Sequence, residues 1–456
     1  MKTYKIFKGL CLAMAACATL ATTSCKDEPD KYEVAGGKPT VKYIRLVDVS
    51  VKDSIIYSAS LRNTICIVGN NLRSITQLLF NDQSAVLNTS YITDNTLIVT
   101  IPNEIPGKVT NKIYMINNSK DTVTYDFNVI IPAPTVTTMS NEWAAAGEEV
   151  EIIGDYFLDY ADNPITVNFG DYQLPRSEIS KITKTRITFT MPADVPHEKV
   201  SVTSVYGTTQ GAFKYCDTRG MLFDFDTPNT KSGVVLGNNG WHNRVIQADD
   251  TSLSGNYLVL GGGAAMGEAG AWNDGDFSFE YWCGDWEEPQ AYSQHPRLFD
   301  VADFTDFENK SLKFEMNIPK DYAWSAAPMQ IYFGSVEQVT LSAGTDIYGH
   351  TAAGANNVFF HVQGSLSRAL YMPWKDTEDK LYHTDGKWVT VTLPLSEFVY
   401  DYDGSKITST YNSVEDFASF NIFVVKGDYE SKTSLPQGVD CTPFIKVDNI
   451  RVIPNK

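Results

Sequence analysis

Four tryptophans in the C-terminal half of the chain lie beside residues that are too small or too polar to bury an indole locally. They are Trp272 in AGAWNDGD, Trp286 in CGDWEEPQ, Trp324 in YAWSAAP and Trp374 in YMPWKDT. Large aromatic side chains in such loops either cover the edge of a core or face a ligand. A sugar ring can lie with its axial C–H groups flat on an indole, while Asn, Gln, Asp and Glu side chains bind its hydroxyls. The sequence therefore predicts that some of these tryptophans form a platform for a sugar.

Other tryptophans occur in patterns that suggest packing. Trp388 opens the alternating run WVTVTLPL, which predicts a strand with Trp388 in the core. Trp282 alternates with Phe279 and Tyr281, so it lies on the opposite face of their strand, and that face fits either a core or a concave surface. Trp143 comes before the other tryptophans in the chain, and we expect its side chain to pack in a loop or at a domain contact.

The segment that follows Trp324 has the period of a β-strand. Met329, Ile331 and Phe333 share one face, and Gln330 and Tyr332 share the other. The apolar face is expected to be core, and the small residues before the strand are expected to leave room for a flat ligand on the nearby indole.

Signatures of enzymes are missing from the sequence. It contains no GxSxG, HExxH or P-loop motif, and the six histidines show no metal-ligand spacing. Acidic pairs such as Asp224 and Asp226 or Glu287 and Glu288 are frequent, but the carboxylates of glycosidases meet in space rather than in sequence. We therefore predict a protein that is not an enzyme, with a glycosidase or lyase as the alternative.

The amino terminus has the pattern of an export signal. Three lysines and no acidic residue accompany an apolar stretch from about Leu10 to Leu20, and small residues lead up to Cys25. The segment resembles a bacterial lipoprotein signal, which implies a signal peptide over 1–24 and a lipidated Cys25. The acidic KDEPD that follows resembles the signal that directs Bacteroidetes lipoproteins to the outer cell surface. Residues 25–37 are expected to form a flexible tether.

Charge and cysteine content limit the classes of partner. The net charge of −18 argues against nucleic acid, whose phosphates would be repelled. A length of 456 residues with 43% hydrophobic content predicts several folded domains. Cys66, Cys216, Cys283 and Cys441 are widely spaced without a CxxC motif, which makes a metal site improbable and leaves three possible disulfide pairings open.

An internal repeat of about 90 residues occupies the first half of the chain. ICIVGNNL (65–72) aligns with VEIIGDYF (150–157), which places Gly69 on Gly154, and NTLIVTIPNEIPG (95–107) aligns with TRITFTMPADVPH (185–197). Each copy contains short alternating strands separated by Gly, Asn, Asp and Pro, a pattern typical of a β-sandwich. These motifs resemble the IPT/TIG family of immunoglobulin-like domains, which implies one such domain over 38–131 and another over 132–216.

The remainder of the chain, 217–456, has more tryptophans and longer loops but still reads as β-strands, such as SLKFEMNI, MQIYFG and FNIFVV. The predicted fold class is all-β: two tandem immunoglobulin-like sandwiches followed by a larger β-sandwich of jelly-roll type.

The complete layout resembles the surface glycan-binding proteins of the SGBP-B type from Bacteroidetes polysaccharide utilisation loci. The matching stretches include RGMLFDFD, AWSAAPMQIYF, YMPW, GKWVTVTLPLSEF and VDNIRVIP. Exposed aromatics of the last domain stack on a glucan backbone in that family. By position, the resemblance implies Trp324 and Trp374 as the leading glycan-binding residues, followed by Tyr371, Trp286 and Trp272.

The resemblance also implies partners and a location. It predicts a non-catalytic lipoprotein of the cell outer membrane that captures a polysaccharide, most simply a β-glucan such as xyloglucan or mixed-linkage glucan, for a TonB-dependent transporter. An adhesin with a protein partner is a further alternative. No cofactor is expected, although Asp224 or Asp226 with Asp448 could hold a structural calcium ion, as carbohydrate-binding jelly rolls often do.

Overall fold

A computed structural model describes most of the chain, and within the described residues it is almost entirely β. The described residues are 32–51, 53–226, 245–267, 274–283, 292, 295–335, 344–345, 351–352, 366–401, 403–425 and 436–455. Two helices of one turn are present among them, α1 (Asp274–Phe277) and α2 (Leu298–Val301). Across these ranges, none of the helices has the length and apolar character needed to cross a bilayer. The predicted all-β fold class is confirmed.

The first compact unit, Met1–Pro132, contains one small β-sandwich. Its strands are β1 (Thr40–Leu46), β2 (Ser58–Ser60), β3 (Thr64–Asn70), β4 (Ile75–Phe80), β5 (Gln83–Ser84), β6 (Thr96–Thr100), β7 (Lys112–Asn117), β8 (Thr122–Asp126) and β9 (Asn128–Ile130). One layer has the order β1-β3-β6 and the other β5-β4-β7-β8, while β2 pairs with β9 in parallel.

The second unit, Ala133–Lys456, begins with another sandwich of the same kind. Its strands are β10 (Thr135–Met139), β11 (Glu149–Asp155), β12 (Thr166–Phe169), β13 (Tyr172–Gln173), β14 (Ile179–Ile182), β15 (Arg186–Thr190), β16 (Lys199–Ser204) and β17 (Gly207–Lys214). The two layers have the orders β10-β11-β15-β14 and β13-β12-β16-β17.

The glycine that recurs in both sandwiches is needed for the same structural reason in each. A Cβ atom on Gly69 would lie 1.8 Å from the carbonyl oxygen of Thr40, and a Cβ atom on Gly154 would lie 1.8 Å from that of Thr135. Each glycine therefore allows the first strand of its sandwich to approach the next strand closely, and a break in the strand register accompanies both contacts.

The second unit continues with the large C-terminal sandwich. Its strands are β18 (Met221–Phe223), β19 (Val245–Gln247), β20 (Tyr257–Leu260), β21 (Ser278–Tyr281), β22 (Lys310–Asn317), β23 (Met329–Gly334), β24 (Gly344–Thr345), β25 (Thr351–Ala352), β26 (Ala369–Tyr371), β27 (Trp388–Pro394), β28 (Ser419–Val424) and β29 (Ile445–Pro454). One sheet has the order β19-β20-β29-β22-β27, with β18 also paired to β29, and the other has the order β21-β28-β23-β26.

The core of the C-terminal sandwich lies between these two sheets. Alternating residues of the strands meet there, among them Phe279 from β21, Phe314 from β22, Phe333 from β23 and Phe420 from β28. The Phe333 and Phe420 rings lie 5.1 Å apart between centroids. The predicted core face of β23 is confirmed, because Met329, Ile331 and Phe333 all belong to this cluster.

Turns of 3-10 helix connect many of the strands. They are Val49–Val51, Leu72–Ser74, Thr89–Tyr91, Arg176–Glu178, Phe307–Asn309, Lys320–Tyr322, Pro373–Asp376, Leu395–Glu397 and Val414–Asp416.

A network of buried charges joins the second small sandwich to the C-terminal sandwich. Arg451 donates to Glu142 at 2.9 Å and to Glu315 at 2.7 Å, and all three side chains are fully buried. Lys313 forms an ion pair with the same Glu142 carboxylate. The Arg451 guanidinium also lies 6.0 Å from the centre of the Trp143 ring, so the predicted packing of that tryptophan at a domain contact is confirmed.

Candidate functional site

Trp324 and Trp374 are core residues, and the prediction that they form an exposed platform is wrong in this structure. Both side chains have 0% exposure and belong to the main hydrophobic cluster of the C-terminal sandwich. The indole N–H groups of Trp324 and Trp374 donate to the carbonyl oxygen of Ala327 at 3.0 and 3.3 Å. No face of either indole is available to a sugar ring.

The small residues after Trp324 make room for another part of the chain rather than for a ligand. Ser325, Ala326 and Ala327 are themselves fully buried. Gly438 packs on them so closely that a Cβ atom there would lie 2.4 Å from the backbone nitrogen of Ala326. The Ser325 hydroxyl accepts a hydrogen bond from the backbone N–H of Val439 at 2.9 Å.

Tyr371 packs against the same core but is only partly buried, so its role in glycan binding stays a prediction. It pairs with Met329 across β23 and β26, and its ring centroid lies 6.0 Å from that of Trp324. Burial raises the pKa of its hydroxyl above the ordinary tyrosine value. Trp272 and Trp286, the other predicted glycan-binding residues, lie outside the described residues and stay predictions.

Trp388 is buried in a hydrophobic core cluster, as predicted, although this cluster is not the main core. It is on the outer face of β27, where it packs with Tyr257 and Val259 in a separate small cluster. The Trp388 and Tyr257 rings meet edge to face at 5.9 Å. The main core instead receives Val391 from the opposite face of the same strand.

A cluster of buried polar and aromatic side chains occupies the outer face of the sheet β21-β28-β23-β26. We call it the polar sheet face, and its residues are Glu280, Gln330, Tyr332, Arg368, Asn421 and Phe423. Strand alternation produces it, because the neighbours of these residues in each strand point into the core. Each of the six has an exposed fraction of 2% or less in the structure.

Pairing between the strands sets the positions of these side chains. Asn421 on β28 is paired with Glu280 on β21 and with Tyr332 on β23, which forms one row across the sheet. Phe423 is paired with Gln330 in the adjacent row. The Tyr332 and Phe423 rings are nearly parallel, with 5° between their planes and 6.1 Å between their centroids.

Arg368 fixes one side of the polar sheet face. Its guanidinium carbon lies 5.1 Å from the centre of the Tyr332 ring, and its Nη1 donates to Oε1 of Gln330 at 2.9 Å. Nε2 of Gln330 donates in turn to the carbonyl oxygen of Val425 at 3.0 Å. Both ends of the Gln330 amide are therefore bonded within the protein, and its orientation is set before any ligand arrives.

Asn421 differs from Gln330 in its bonding. Its side chain is 1% exposed, yet its Nδ2 has no hydrogen-bond partner in the part of the chain that the structure describes. A buried amide nitrogen normally has an acceptor, because leaving it unpaired costs free energy of folding. The polar sheet face therefore contains an unused donor at the centre of its row.

The electrostatics of this face are those of a buried cluster. Burial raises the pKa of Tyr332 well above its ordinary value, so its phenol is neutral at physiological pH. Burial lowers the pKa of Arg368, and electrostatic interactions with Tyr332, Asp401 and Asp403 act in the opposite direction.

The corresponding face of the other sheet is partly taken by a domain contact. Lys313, Glu315 and Arg451 on that side meet Glu142 of the second small sandwich. The polar sheet face has no such contact with that sandwich among the hydrogen bonds of the described residues.

The sequence contained the signal for this surface. The alternation of the sequence places Gln330 and Tyr332 together on the face opposite the core. It assigns Trp282 to a sheet face that fits either a core or a concave surface. Phe279 and Tyr281 are in the main cluster, so Trp282 lies on the side of the polar sheet face, where it is 7% exposed. Polar and aromatic residues at the outward positions of three strands distinguish such a face from an ordinary solvated one.

The described residues do not form the calcium site considered from the sequence. Asp448 is buried, and burial with the nearby charges of Glu315, Asp226 and Asp224 raises its pKa to about 9. No three His, Cys, Asp or Glu side chains within the described ranges converge as a metal-binding group. Cys66, Cys216, Cys283 and Cys441 form no disulfide with one another.

Comparison with known proteins identifies the family. Residues 215–454 match the model of the surface glycan-binding protein B xyloglucan binding domain, and residues 134–218 match the IPT/TIG domain. The crystal structure of the surface glycan-binding protein PbSGBP-B from Prevotella bryantii is similar, with 59% identity, a TM-score of 0.85, and coverage of 92% of this chain and 100% of that chain.

A curated relative is the IPT/TIG domain-containing protein of Bacteroides ovatus. It is 26% identical over 200 residues, which is 41% of this chain and 40% of that protein. The match thus spans less than half the length of that relative. The xyloglucan-binding-domain model alone covers more than half of this chain, and the chain therefore belongs to the surface glycan-binding protein B family.

Proposed function

We propose that this protein is a non-catalytic lipoprotein of the outer cell surface that binds a neutral β-glucan, such as xyloglucan or mixed-linkage glucan, through its C-terminal sandwich. The observation that carries the proposal is the match of residues 215–454 to the surface glycan-binding protein B xyloglucan binding domain, together with the 59% identity to PbSGBP-B. The name of the matching family model supports xyloglucan as the ligand.

Binding rather than hydrolysis is the activity that the match to glycan-binding proteins favours. Stacking of aromatic rings contributes roughly 0.5–1.5 kcal/mol per contact, and a few such contacts with hydrogen bonds give weak to moderate affinity for a repeating polymer. Trp272 and Trp286 belong to the same proposal. They directly precede and follow the segment that contains β21 in the sequence.

The remaining parts of the proposal concern location. Cys25 carries the lipid, the two small sandwiches act as spacers over 38–131 and 132–216, and the C-terminal domain over 217–456 presents the glycan to a TonB-dependent transporter. Cell fractionation tests the anchor: Cys25→Ala should move the protein from the membrane fraction to the soluble fraction. Retention of that variant in the membrane would contradict lipidation at Cys25.

Affinity electrophoresis in gels containing xyloglucan, mixed-linkage glucan or an unrelated polysaccharide tests the binding function. We expect retardation by a β-glucan and not by the unrelated polysaccharide, and at least tenfold weaker binding in Trp272→Ala or Trp286→Ala. Unchanged binding in both variants would contradict their proposed role as glycan-binding residues.

The same protein samples separate the alternatives. Release of reducing ends from any of the glucans would overturn the non-catalytic function and favour a glycoside hydrolase. If no polysaccharide retards the wild-type protein, glycan binding is refuted and an adhesin with a protein partner becomes the better explanation.

A further inference from the structure

We infer that the first small sandwich binds an extended peptide segment along its edge strand β6 (Thr96–Thr100). The bound segment pairs with β6 in the way that β14 pairs with β15 in the second small sandwich. The partner is a polypeptide with an accessible, extended segment whose alternate side chains are apolar. This interaction surface lies outside the C-terminal domain, and the inference does not depend on the proposed glycan binding.

The two copies of the repeat differ at this edge. In the second sandwich, β15 has β11 on one side and β14 on the other. In the first sandwich, β6 is the last strand of the layer β1-β3-β6 in the part of the chain that the structure describes. One bridge, between Ile92 and Leu97, corresponds to the pair of Ile182 and Ile187, and no strand continues it among the described residues.

Asn88 explains why the first copy forms no strand at this position. Its side-chain oxygen accepts a hydrogen bond from the backbone N–H of Ser90 at 3.0 Å, and its carbonyl oxygen accepts one from Tyr91 at 2.9 Å. These bonds hold Thr89–Tyr91 in a turn of 3-10 helix, where the second copy has the strand β14. Asparagine side chains that bind nearby backbone groups compete with sheet formation in this way. The turn leaves the edge of β6 open.

The open edge presents backbone groups that β3 does not use. In an antiparallel pair, alternate residues direct their N–H and C=O groups to one neighbour and the intervening residues direct theirs to the other side. The N–H of Ile101 donates to the carbonyl oxygen of Asn63, next to β3, at 2.9 Å. Ile98 and Thr100 are out of phase with Ile101, so their backbone groups point towards the open edge. An edge of this kind pairs readily with another extended chain.

A groove of about 730 Å³ lies along this edge. Ile98 and Thr100 line it together with Val86 and Tyr91, whose exposed fractions are 88% and 56%. Its volume is in the range of about 300–1,000 Å³ that is typical of ligand sites. Exposed apolar side chains beside an unpaired edge provide the side-chain contacts that an added strand needs.

A polypeptide is the occupant that this groove fits best. The equivalent position in the second copy is filled by polypeptide, and the first and last residues of that strand, Ile179 and Ile182, are partly buried there. Arg62 and Glu104, the charged residues of the groove, have opposite signs, so the groove favours neither a polyanion nor a polycation. A sugar chain lacks the alternating N–H and C=O groups that match a strand edge.

The probe for this site is the acetylated peptide SEISKITK, residues 177–184 of this chain, which contains β14. It has the sequence that the equivalent edge accepts in the second sandwich. Fluorescence anisotropy of the labelled peptide measures its binding to the full chain, and hydrogen exchange followed by mass spectrometry locates the site. We expect saturable binding with a dissociation constant below about 1 mM and protection of Thr96–Thr100. A scrambled peptide of the same composition should give neither.

Proline substitution distinguishes the open edge from the paired one. Thr100→Pro removes a backbone N–H that points to the open edge, and proline is tolerated at such positions. The melting temperature should stay close to that of the wild type, while the peptide binds at least tenfold more weakly. Thr188→Pro is the matched control, because Thr188 is paired with Lys181 of β14. That variant should lose stability and keep its affinity for the peptide.

Val86→Asp is a second variant that preserves the fold, since Val86 is 88% exposed. It places a charge among the apolar contacts of the groove and should also weaken peptide binding. Equal affinity of the wild type and both groove variants, or no saturable binding up to about 1 mM, would overturn the inference. Protection of Thr96–Thr100 by xyloglucan or mixed-linkage glucan oligosaccharides, without protection by the peptide, would also overturn it and assign the groove to a sugar.

Discussion

Trp324 and Trp374 donate their indole N–H groups to one shared acceptor, the carbonyl oxygen of Ala327, at 3.0 and 3.3 Å. The two indoles come from different segments of the C-terminal sandwich and meet in its core. A carbonyl oxygen has two lone pairs and can accept both bonds. The arrangement explains why two tryptophans that have few apolar neighbours in sequence are nevertheless fully buried.

The shared acceptor predicts non-additive effects on stability. Trp324→Phe or Trp374→Phe removes one donor and leaves the other bonded to Ala327. The double variant leaves the carbonyl without a donor from either ring, which costs about 1–3 kcal/mol for a buried polar group. Urea denaturation of the single and double variants should therefore give a coupling free energy of about 1 kcal/mol, with the double variant less stable than the sum of the singles. Strict additivity would mean that the two bonds are independent.

The same pair of residues shows what could be predicted from the sequence and what could not. Local alternation identified the core face of β23, and self-alignment matched Gly69 with Gly154, because both features depend on neighbours in the strand or on the repeated unit. The burial of Trp324 depends instead on the packing of Gly438 against Ser325 and Ala326. That contact joins segments more than 100 residues apart, as the bond from Val439 to Ser325 also does, and no local pattern predicts it.

The polar sheet face could be predicted in part for a related reason. The period of two assigned Gln330 and Tyr332 to one face, but the partners of that face, Arg368 and Asn421, depend on the strand order. Sequence alone does not establish that β28 lies between β21 and β23. The loop tryptophans that the sequence predicts as exposed thus include the core residues Trp324 and Trp374, and the outward positions of the strands are buried as well.

The buried charges at the domain contact predict a large loss of stability on removal of Glu142. Glu142 and Glu315 balance Arg451 and Lys313, so Glu142→Ala leaves unpaired positive charge in a buried position. Loss of one partner of a buried ion pair typically costs about 3–5 kcal/mol. Guanidinium denaturation should show this loss for Glu142→Ala.

The exposed pair of Arg176 and Asp159 provides the control for that measurement. The Arg176 side chain is 53% exposed, and exposed ion pairs contribute about 0–1 kcal/mol. Arg176→Ala should therefore change stability little, since the Arg176 side chain has no other hydrogen bond among the described residues. A similarly small effect of Glu142→Ala would show that the charges at the domain contact are well solvated and do not hold the two sandwiches together.

Asp448 predicts a dependence of stability on pH. Burial and neighbouring carboxylates raise its pKa to about 9 in the folded state, from an ordinary value near 4 in the unfolded state. Below about pH 4 both states bind the proton and the folded state has no penalty. As the pH rises towards 9, only the unfolded state releases the proton, so the folded state loses relative stability.

Asn is a neutral replacement of the same shape, and Asp448→Asn should remove this dependence. The backbone N–H of Asn449 donates to Oδ1 of Asp448 at 2.7 Å, and the Asn oxygen can keep that bond. We expect the variant to gain stability over the wild type progressively between pH 4 and pH 9, as measured by melting temperature at each pH. If the melting temperatures of the two proteins differ by the same amount at every pH in this range, Asp448 has no raised pKa in the folded state.

The repeated glycines predict equal sensitivity of the two small sandwiches to one added methyl group. A Cβ atom at Gly69 or Gly154 would lie 1.8 Å from a backbone carbonyl oxygen, and neither backbone can move without separation of the first two strands. Gly69→Ala and Gly154→Ala should each destabilise their own sandwich by at least about 2 kcal/mol, within the range for severe overpacking. Gly36→Ala is the control, because no atom lies within 4 Å of a Cβ there. Hydrogen exchange followed by mass spectrometry can assign the loss of protection to one sandwich, and tolerance of alanine at either glycine would mean that the close approach is not required for folding.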